Sequence, residues 1–148
     1  MRYHLFLASA VILGLVLTSG AMADSDDRDV GRRAFVGLWQ GIDSFDGSTQ
    51  FLSITCSGRK TCDVRLNDTA FTLSCPINEL GFAQGLGSIN RNILTVDLTL
   101  TCSNSGVVFG PQPNEFVLDR KNGTLTNLNS DNDNDPEPVD NVFHRISK

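Results

Sequence analysis

Apolar and polar residues alternate strictly along several stretches of the chain. In the clearest stretch, Ile93–Cys102, every second residue from Leu94 onward is Leu, Val or Cys, and Thr or Asp stands between them. A period of two is that of a β-strand with one buried face, and a helix cannot bury such a pattern on one side. The alternation, or an apolar run of similar length, predicts further strands at Val36–Ile42, Leu52–Cys56, Cys62–Leu66, Phe71–Cys75, Phe82–Ile89, Glu115–Asp119, Thr124–Leu128 and Val142–Ser147.

Clusters of Gly, Asn, Asp and Ser separate these strands and predict tight turns. Asn122-Gly123 is typical of a type I′ hairpin, because both residues tolerate positive φ, and Asn90-Arg91-Asn92 predicts another hairpin. No stretch shows a convincing helical period with caps. We therefore predict an all-β domain, a single antiparallel meander of about eight or nine strands. A closed barrel removes unpaired strand edges and suits the glycines inside predicted strands; a β-sandwich is the alternative.

The first 23 residues have the three-part layout of a secretory leader. A short basic start precedes the apolar run that begins at Leu5, and Ala21-Met22-Ala23 is an A-x-A cleavage site. A retained membrane anchor is the alternative. However, the last third of the apolar stretch consists largely of polar and small residues, and no basic stop-transfer cluster follows it. We expect residues 1–23 to be removed, residues 24–34 to form a flexible charged tail, and residues 35–148 to form the barrel. The mature protein is then secreted or periplasmic, with no membrane insertion.

The charge of the chain argues against two classes of partner. The formal net charge is −5 at pH 7, and removal of Arg2 with the leader makes it one unit more negative. The basic pairs Arg32-Arg33 and Arg59-Lys60 are too short to form a Lys/Arg stripe. An acidic domain of this kind is not expected to bind nucleic acid or anionic membrane surfaces.

Four cysteines, all outside the leader, predict two disulfides, since an exported domain folds in an oxidising compartment. Their spacing lacks the tight pairs of a zinc site, which is the weaker alternative. Each cysteine is in phase with the apolar face of its strand. Cys56 and Cys62 flank a loop short enough for a hairpin, so we predict a Cys56–Cys62 bond and, from the remaining two, a Cys75–Cys102 bond.

The first and last predicted strands carry three residues with a family resemblance. Gly37-Leu38-Trp39 is a G-x-W on the first strand, and Arg145 lies on the last strand. The chain resembles the lipocalins and the wider calycin superfamily, in which these residues meet and the Arg packs over the Trp at the closed end of a barrel. It lacks the later T-D-Y segment and the C-terminal helix of typical lipocalins, so the resemblance is closer to avidin-like or bacterial inhibitor-like barrels. In either case we expect Trp39 and Arg145 to be structural.

Two features could carry chemistry, and neither fits a known site well. Asp131, Asp133 and Asp135 alternate in an acidic segment and are weak calcium candidates, but an EF-hand needs Gly and Glu where Pro136 and Val142 stand. We therefore interpret this segment as a solvated loop and expect no metal and no cofactor. The mature chain has one histidine, His144, and no nucleophile motif accompanies it, so we predict no catalytic residues.

Function is expected to reside in loops on a rigid scaffold. The predicted loop Ser103–Asn114 contains Val107, Val108 and Phe109, an apolar tip that is costly to expose without a partner; alternatively Phe109 folds back as a plug over the core. We predict a monomeric, non-enzymatic binding module for a small apolar ligand or a secreted protein, and an inhibitor of a secreted hydrolase is one concrete form. The alternative is a small secreted hydrolase or isomerase that uses His144.

Overall fold

Eight β-strands follow one another in an antiparallel meander, and the last strand pairs with the first to close a barrel. The computed structural model describes residues 31–44, 46–57, 61–69, 75–76, 79–128 and 140–148. The all-β closed barrel that the alternation predicts is thereby confirmed. In chain order the strands are β1 (Gly37–Ile42), β2 (Thr49–Ser57), β3 (Thr61–Asp68), β4 (Gly81–Asn90), β5 (Ile93–Cys102), β6 (Val108–Asp119), β7 (Thr124–Asn127) and β8 (Asn141–Ser147).

Several predicted features lie outside the described residues. They include the leader, residues 24–30 of the tail, and the three aspartates of the acidic segment, Asp131, Asp133 and Asp135. Of the predicted strand Phe71–Cys75 only Cys75 is described, and it belongs to none of the eight strands. No helix within the described ranges is long and apolar enough to span a membrane.

The barrel has two ends, which we name by their contents. At the Trp39 end, β1, β3, β5 and β7 begin, and a helical turn of residues 31–35 lies before β1. This turn includes the last four residues of the segment expected to be a tail. Its Phe35 is fully buried, and the Phe35 carbonyl accepts a hydrogen bond of 2.9 Å from the Trp39 indole. An apolar anchor and a buried acceptor therefore attach the turn to the barrel.

The other end, which we call the mouth, is where β2, β4, β6 and β8 begin. Between the two ends, the interior is filled by side chains from all eight strands. Trp39, Phe116 and Phe143 are fully buried, and the rings of Phe116 and Phe143 meet edge to face with centroids 6.1 Å apart. The inward positions of β5 are those that the alternation predicts, Leu94, Val96 and Leu98.

Both predicted hairpins are present, but one turn differs from its prediction. Arg91, with φ of 58°, lies in the turn between β4 and β5. Between β6 and β7 the turn spans residues 120–123, and Gly123 has positive φ whereas Asn122 does not, so the predicted type I′ turn is wrong. The Asp119 carboxylate accepts hydrogen bonds from the backbone N–H groups of Lys121 and Asn122, which stabilises a longer loop.

Strand β6 begins at Val108, whereas the sequence predicted a loop up to Asn114 and a strand from Glu115. The glycine and prolines of this segment had indicated a loop, since proline lacks the N–H that a central strand donates. Here Pro113 lies opposite Asp97 of β5, and β7 pairs with β6 only from Phe116 onward. Within the described residues this half of β6 thus has one partner strand, and proline is tolerated at such a position.

Candidate functional site

The hairpin between β5 and β6 places the predicted binding residues at the mouth, in contact with solvent. Val108 is 58 % exposed, and Val107 and Phe109 are each 40 % exposed. Every residue from position 103 to position 113 is exposed. Phe109 lies opposite Leu100, which packs against the core, but 40 % of Phe109 stays exposed, so it does not form a buried plug. The tip of the hairpin therefore lies at the solvent-exposed rim of the barrel.

Exposed apolar residues of β4 extend this surface. Phe82 lies opposite Thr101, and Thr101 lies opposite Val108, so Phe82 and Val108 flank one residue on neighbouring strands. Leu80, just before β4, is 59 % exposed. We call Leu80, Phe82, Val107, Val108 and Phe109 the tip surface. Residues 103–114 carry no charged side chain, so the tip offers apolar contact and backbone polar groups.

A disulfide and three backbone hydrogen bonds hold the tip in place. Cys75 and Cys102 are bonded, as predicted, and so are Cys56 and Cys62 across β2 and β3. The Cys102 N–H donates to the Val107 carbonyl at 2.9 Å, and the Gly106 N–H donates back to the Cys102 carbonyl at 3.1 Å. The Ser103 N–H donates to the Leu80 carbonyl at 2.8 Å. The turn is therefore tied to the segment before β4 as well as to itself.

The Glu79 carboxylate caps the same turn from the side. One of its oxygens, Oε2, accepts hydrogen bonds from the N–H groups of Asn104 (3.2 Å) and Ser105 (3.0 Å) and from the Ser105 hydroxyl (2.8 Å). These bonds, the backbone bond from Ser105 above all, lower the pKa of Glu79 below its ordinary value. The ionised carboxylate thus stabilises the conformation of the tip. No local pattern in the sequence indicates this contact, because Glu79 and Ser105 are 26 positions apart.

Buried polar side chains close the interior of the mouth. Gln50, Asp68, Asn127 and Asn141 are all at most 5 % exposed. The Gln50 amide donates to the carboxylates of Asp68 (2.9 Å) and Asp43 (2.8 Å), and its oxygen accepts from Asn141 (3.2 Å). No buried side-chain polar atom of the described residues lacks a hydrogen-bond partner. This satisfied network, which no local pattern predicts, lies where an apolar ligand would enter the barrel.

The Trp39 end shows the contact that the family resemblance implies. The Arg145 guanidinium carbon lies 4.3 Å from the centre of the Trp39 ring. Arg145 also donates to the carbonyls of Val36 (3.0 Å) and Ala34, which join β8 to the helical turn. Partial burial lowers the pKa of Arg145 from its ordinary value. Trp39 and Arg145 thus connect the turn, β1 and β8.

His144 lies on the outer face of β8, beside a shallow concavity of about 580 Å³ that Ser44, Asp140, Val142 and Ile146 also line. The Ser44 hydroxyl donates to Asn141 at 2.8 Å. Among the described residues no hydrogen bond links His144 to Ser44 or Asp140. The described ranges also contain no group of three side chains placed to hold a metal ion.

Comparison with known proteins adds no relative from which a role could be transferred. A scan against models of protein families, a search of curated proteins and a search of solved structures each found no match to this chain. The calycin resemblance therefore stays a prediction, since a barrel alone does not define a family. Any function has to be inferred from the geometry of the surface.

Proposed function

We propose that this protein is an exported, non-enzymatic binding module whose tip surface enters a cleft on a secreted partner protein. Inhibition of a secreted hydrolase is the concrete form that we favour, because hydrolase sites are concave and the tip is an exposed, uncharged hairpin. Two properties of the hairpin carry the proposal. Val107, Val108 and Phe109 are exposed, and the Cys75–Cys102 disulfide and backbone hydrogen bonds hold the turn beside them in place.

The exposed apolar surface of the tip and the contacts that hold the turn in place affect different parts of the binding free energy. Val108 and Phe109 would lose apolar surface to water in a complex, and burial of such surface is worth roughly 25 cal/mol per Å². The cost of ordering a loop on binding is about 0.5–1.5 kcal/mol for each immobilised side chain. The Cys75–Cys102 bond and the Glu79 contacts order the turn before any partner arrives. A preorganised tip therefore keeps more of its burial energy as affinity.

A protein partner is better supported than a small apolar ligand inside the barrel. Leu52, Ile54, Phe116 and Phe143 fill the centre of the barrel with no exposed surface. The buried polar network around Gln50 lies across the mouth. Interiors packed at this density leave little room for a ligand, which favours recognition on the outside.

Export is part of the proposal. The two disulfides are typical of an oxidising, extracellular environment. We infer that residues 1–23 are removed and that the protein acts in the periplasm or outside the cell. Mass spectrometry of the protein from culture fluid or periplasm should then give a chain that begins at Asp24, and a chain that retains Met1 in the membrane fraction would contradict export.

The binding proposal can be tested with matched serine substitutions. The mature protein is immobilised, exposed to the secreted proteins of its own source, and the captured protein is identified, purified and titrated. We expect Val107→Ser with Phe109→Ser to weaken binding at least ~10-fold, since two central apolar contacts each contribute more than about 1 kcal/mol. The melting temperature should fall only modestly, because both side chains are 40 % exposed and neither belongs to the buried core.

The control is Ile42→Ser with Ile146→Ser, which removes two apolar residues that are 54 % and 49 % exposed on the outer face of β1 and β8. This variant should bind as the native protein does. Equal loss in both variants, or no loss in the tip variant, would contradict the proposal. If the partner is a hydrolase, its inhibition should follow the same order of variants. A turnover of the protein's own that His144→Ala abolishes would instead favour an enzyme.

A further inference from the structure

The tertiary structure gathers positive charge at the Trp39 end. Apart from Arg65, every lysine and arginine of the described residues lies in the helical turn, in a turn between strands or near the end of β8 at this end. They come from positions far apart in sequence, in a chain whose net charge is −5. We call the following set the basic face: Arg32, Arg33, Arg91, Arg120, Lys121, Arg145 and Lys148.

A concavity of about 370 Å³ lies in the basic face. Arg33, Arg120, Arg145 and Lys148 line it, and Trp39 forms part of its wall. The helical turn and the β6–β7 turn meet here. A guanidinium nitrogen of Arg120 lies 3.2 Å from the position that a Cβ atom would occupy on Gly31. Cations from the helical turn, the β6–β7 turn and β8 therefore surround one small space.

Arg32 and Arg33 apart, the cations of this face have no anionic partner among the described residues. Arg91, Arg120, Lys121 and Lys148 form no ion pair within the described ranges. The hydrogen bonds of Arg145 go to the neutral carbonyls of Ala34 and Val36, and partial burial lowers its pKa. A guanidinium that is partly removed from water without a carboxylate partner is stabilised when an anion arrives.

The carboxylate of the β6–β7 turn does not supply that partner. Both oxygens of Asp119 accept hydrogen bonds within its own turn, from the N–H groups of Lys121 and Asn122 and from the Asn122 side chain at 2.6 Å. These bonds, led by the backbone bond from Asn122, lower the pKa of Asp119 and hold it as part of the loop. Arg65, the one described cation away from this end, is paired with Asp63 at 3.0 Å.

We propose that the concavity binds a phosphate or sulfate group of a small polyanionic ligand, with Arg120, Arg145 and Lys148 as the principal contacts. Planar guanidinium groups donate in pairs to tetrahedral oxyanions, and such charge-assisted bonds are about twice as strong as neutral ones. The concavity opens to solvent, and its volume of about 370 Å³ holds one such group together with its neighbours. The remaining cations extend the attraction to further charges on the ligand. This site lies at the opposite end from the tip surface and does not depend on the proposed binding function.

Trp39 provides a signal for the test, because it is the only tryptophan of the chain and its ring lies beneath Arg145, which lines the concavity. The mature protein is titrated with inorganic tripolyphosphate at low and at physiological salt while its fluorescence and the heat of binding are recorded. The sample retains the aspartates of residues 24–30, so that any competition from them is included in the measured affinity. We expect saturable one-to-one binding that weakens with salt, since the contacts are exposed charges.

The test variant is Arg120→Gln with Lys148→Gln, which removes two exposed cations that form no ion pair in the described chain. It should fold normally and bind tripolyphosphate at least ~10-fold more weakly, in keeping with the strength of hydrogen bonds to charged groups. The matched control is Arg65→Gln, which should bind as the native protein does.

Three results would overturn the proposal. They are an absence of saturable binding, an affinity unchanged in the double variant, and an equal loss in Arg65→Gln, which would indicate an adventitious ion only.

A separate experiment uses vesicles that contain anionic phospholipid. Displacement of the protein from these vesicles by tripolyphosphate supports the site, whereas vesicle binding that tripolyphosphate does not displace would assign the face to a membrane surface and contradict the small-ligand proposal.

Discussion

The two disulfides should differ in what they contribute to stability, because they close loops of different length. Cys75 and Cys102 are 27 positions apart, whereas Cys56 and Cys62 are 6 positions apart. A cross-link stabilises mainly by reducing the entropy of the unfolded chain, and the effect grows with the logarithm of the loop length. That relation gives about 3.5 kcal/mol for Cys75–Cys102 and about 2.2 kcal/mol for Cys56–Cys62.

The perturbation is a pair of double variants, Cys75→Ala with Cys102→Ala and Cys56→Ala with Cys62→Ala. Each variant loses one cysteine that is at most 1 % exposed, Cys102 or Cys62. Cys75 is also buried whereas Cys56 is only partly buried, so burial adds to the cost of the first variant in the same direction as its longer loop. Equilibrium unfolding in urea, followed by the fluorescence of Trp39, gives both free energies of unfolding. We expect the first variant to be less stable than the second by at least about 1.3 kcal/mol, the difference between the two loop entropies.

A second measurement separates global stability from the order of the tip. Cys102 is the residue from which the tip turn is hydrogen-bonded, through Val107 and Gly106. Loss of its disulfide should therefore speed the hydrogen exchange of the Gly106 amide more than that of amides in β1 and β2. Removal of Cys56–Cys62 that costs as much as removal of Cys75–Cys102, or exchange at the tip that is unchanged, would refute this reasoning.

Three further outcomes follow from single contacts. Gly37→Ala should destabilise the fold by at least ~1 kcal/mol in urea unfolding, because φ is +141° there and a Cβ would collide with the Ser147 carbonyl; an unchanged midpoint would contradict this. Arg145→Lys should lower the free energy of unfolding by about 1–2 kcal/mol and alter the fluorescence of Trp39, because one ammonium cannot both stack on the ring and donate to both carbonyls. Full stability of this variant would show that the stacking is dispensable. The Ser105 amide resonance should titrate with Glu79 at a pKa below the ordinary 4.5. Because the folded-state pKa is lowered, the contribution of Glu79 is present above pH 4.5 and is lost as the pH falls through the folded value; Glu79→Gln should abolish the titration, and a persistent one would exclude this contact.

Local patterns in the sequence determined most of the strands and the cross-links, whereas the choice between a sandwich and a closed barrel came from the tertiary structure. The alternation in β5 dictates which side chains point inward, because a strand has a period of two wherever it lies. Cys56 and Cys62 are near enough in sequence that a hairpin sets them opposite one another, and Cys75 and Cys102 then pair by elimination. Trp39 and Arg145 were foreseen as a pair through the family resemblance, and the structure places them in contact.

Other features depend on residues that only the closed barrel brings together. The early start of β6 needs the C-terminal half of β5 as a partner, and this outweighs the local preference of Pro111 and Pro113 for a loop. The polar network of the mouth joins Gln50 to Asn141, 91 positions apart. A local sequence pattern cannot indicate a contact between residues so far apart.

The basic face is the clearest case of information that is absent from the linear sequence. Read along the chain, the cations are isolated or in short pairs, and they indicated no anionic partner. In a closed meander all even-numbered strands end at the same side, so Arg91 and Arg120, in turns 29 positions apart, come to lie near one end with Arg33 and Arg145. Electrostatic attraction depends on distance in space, and the topology of the barrel sets that distance.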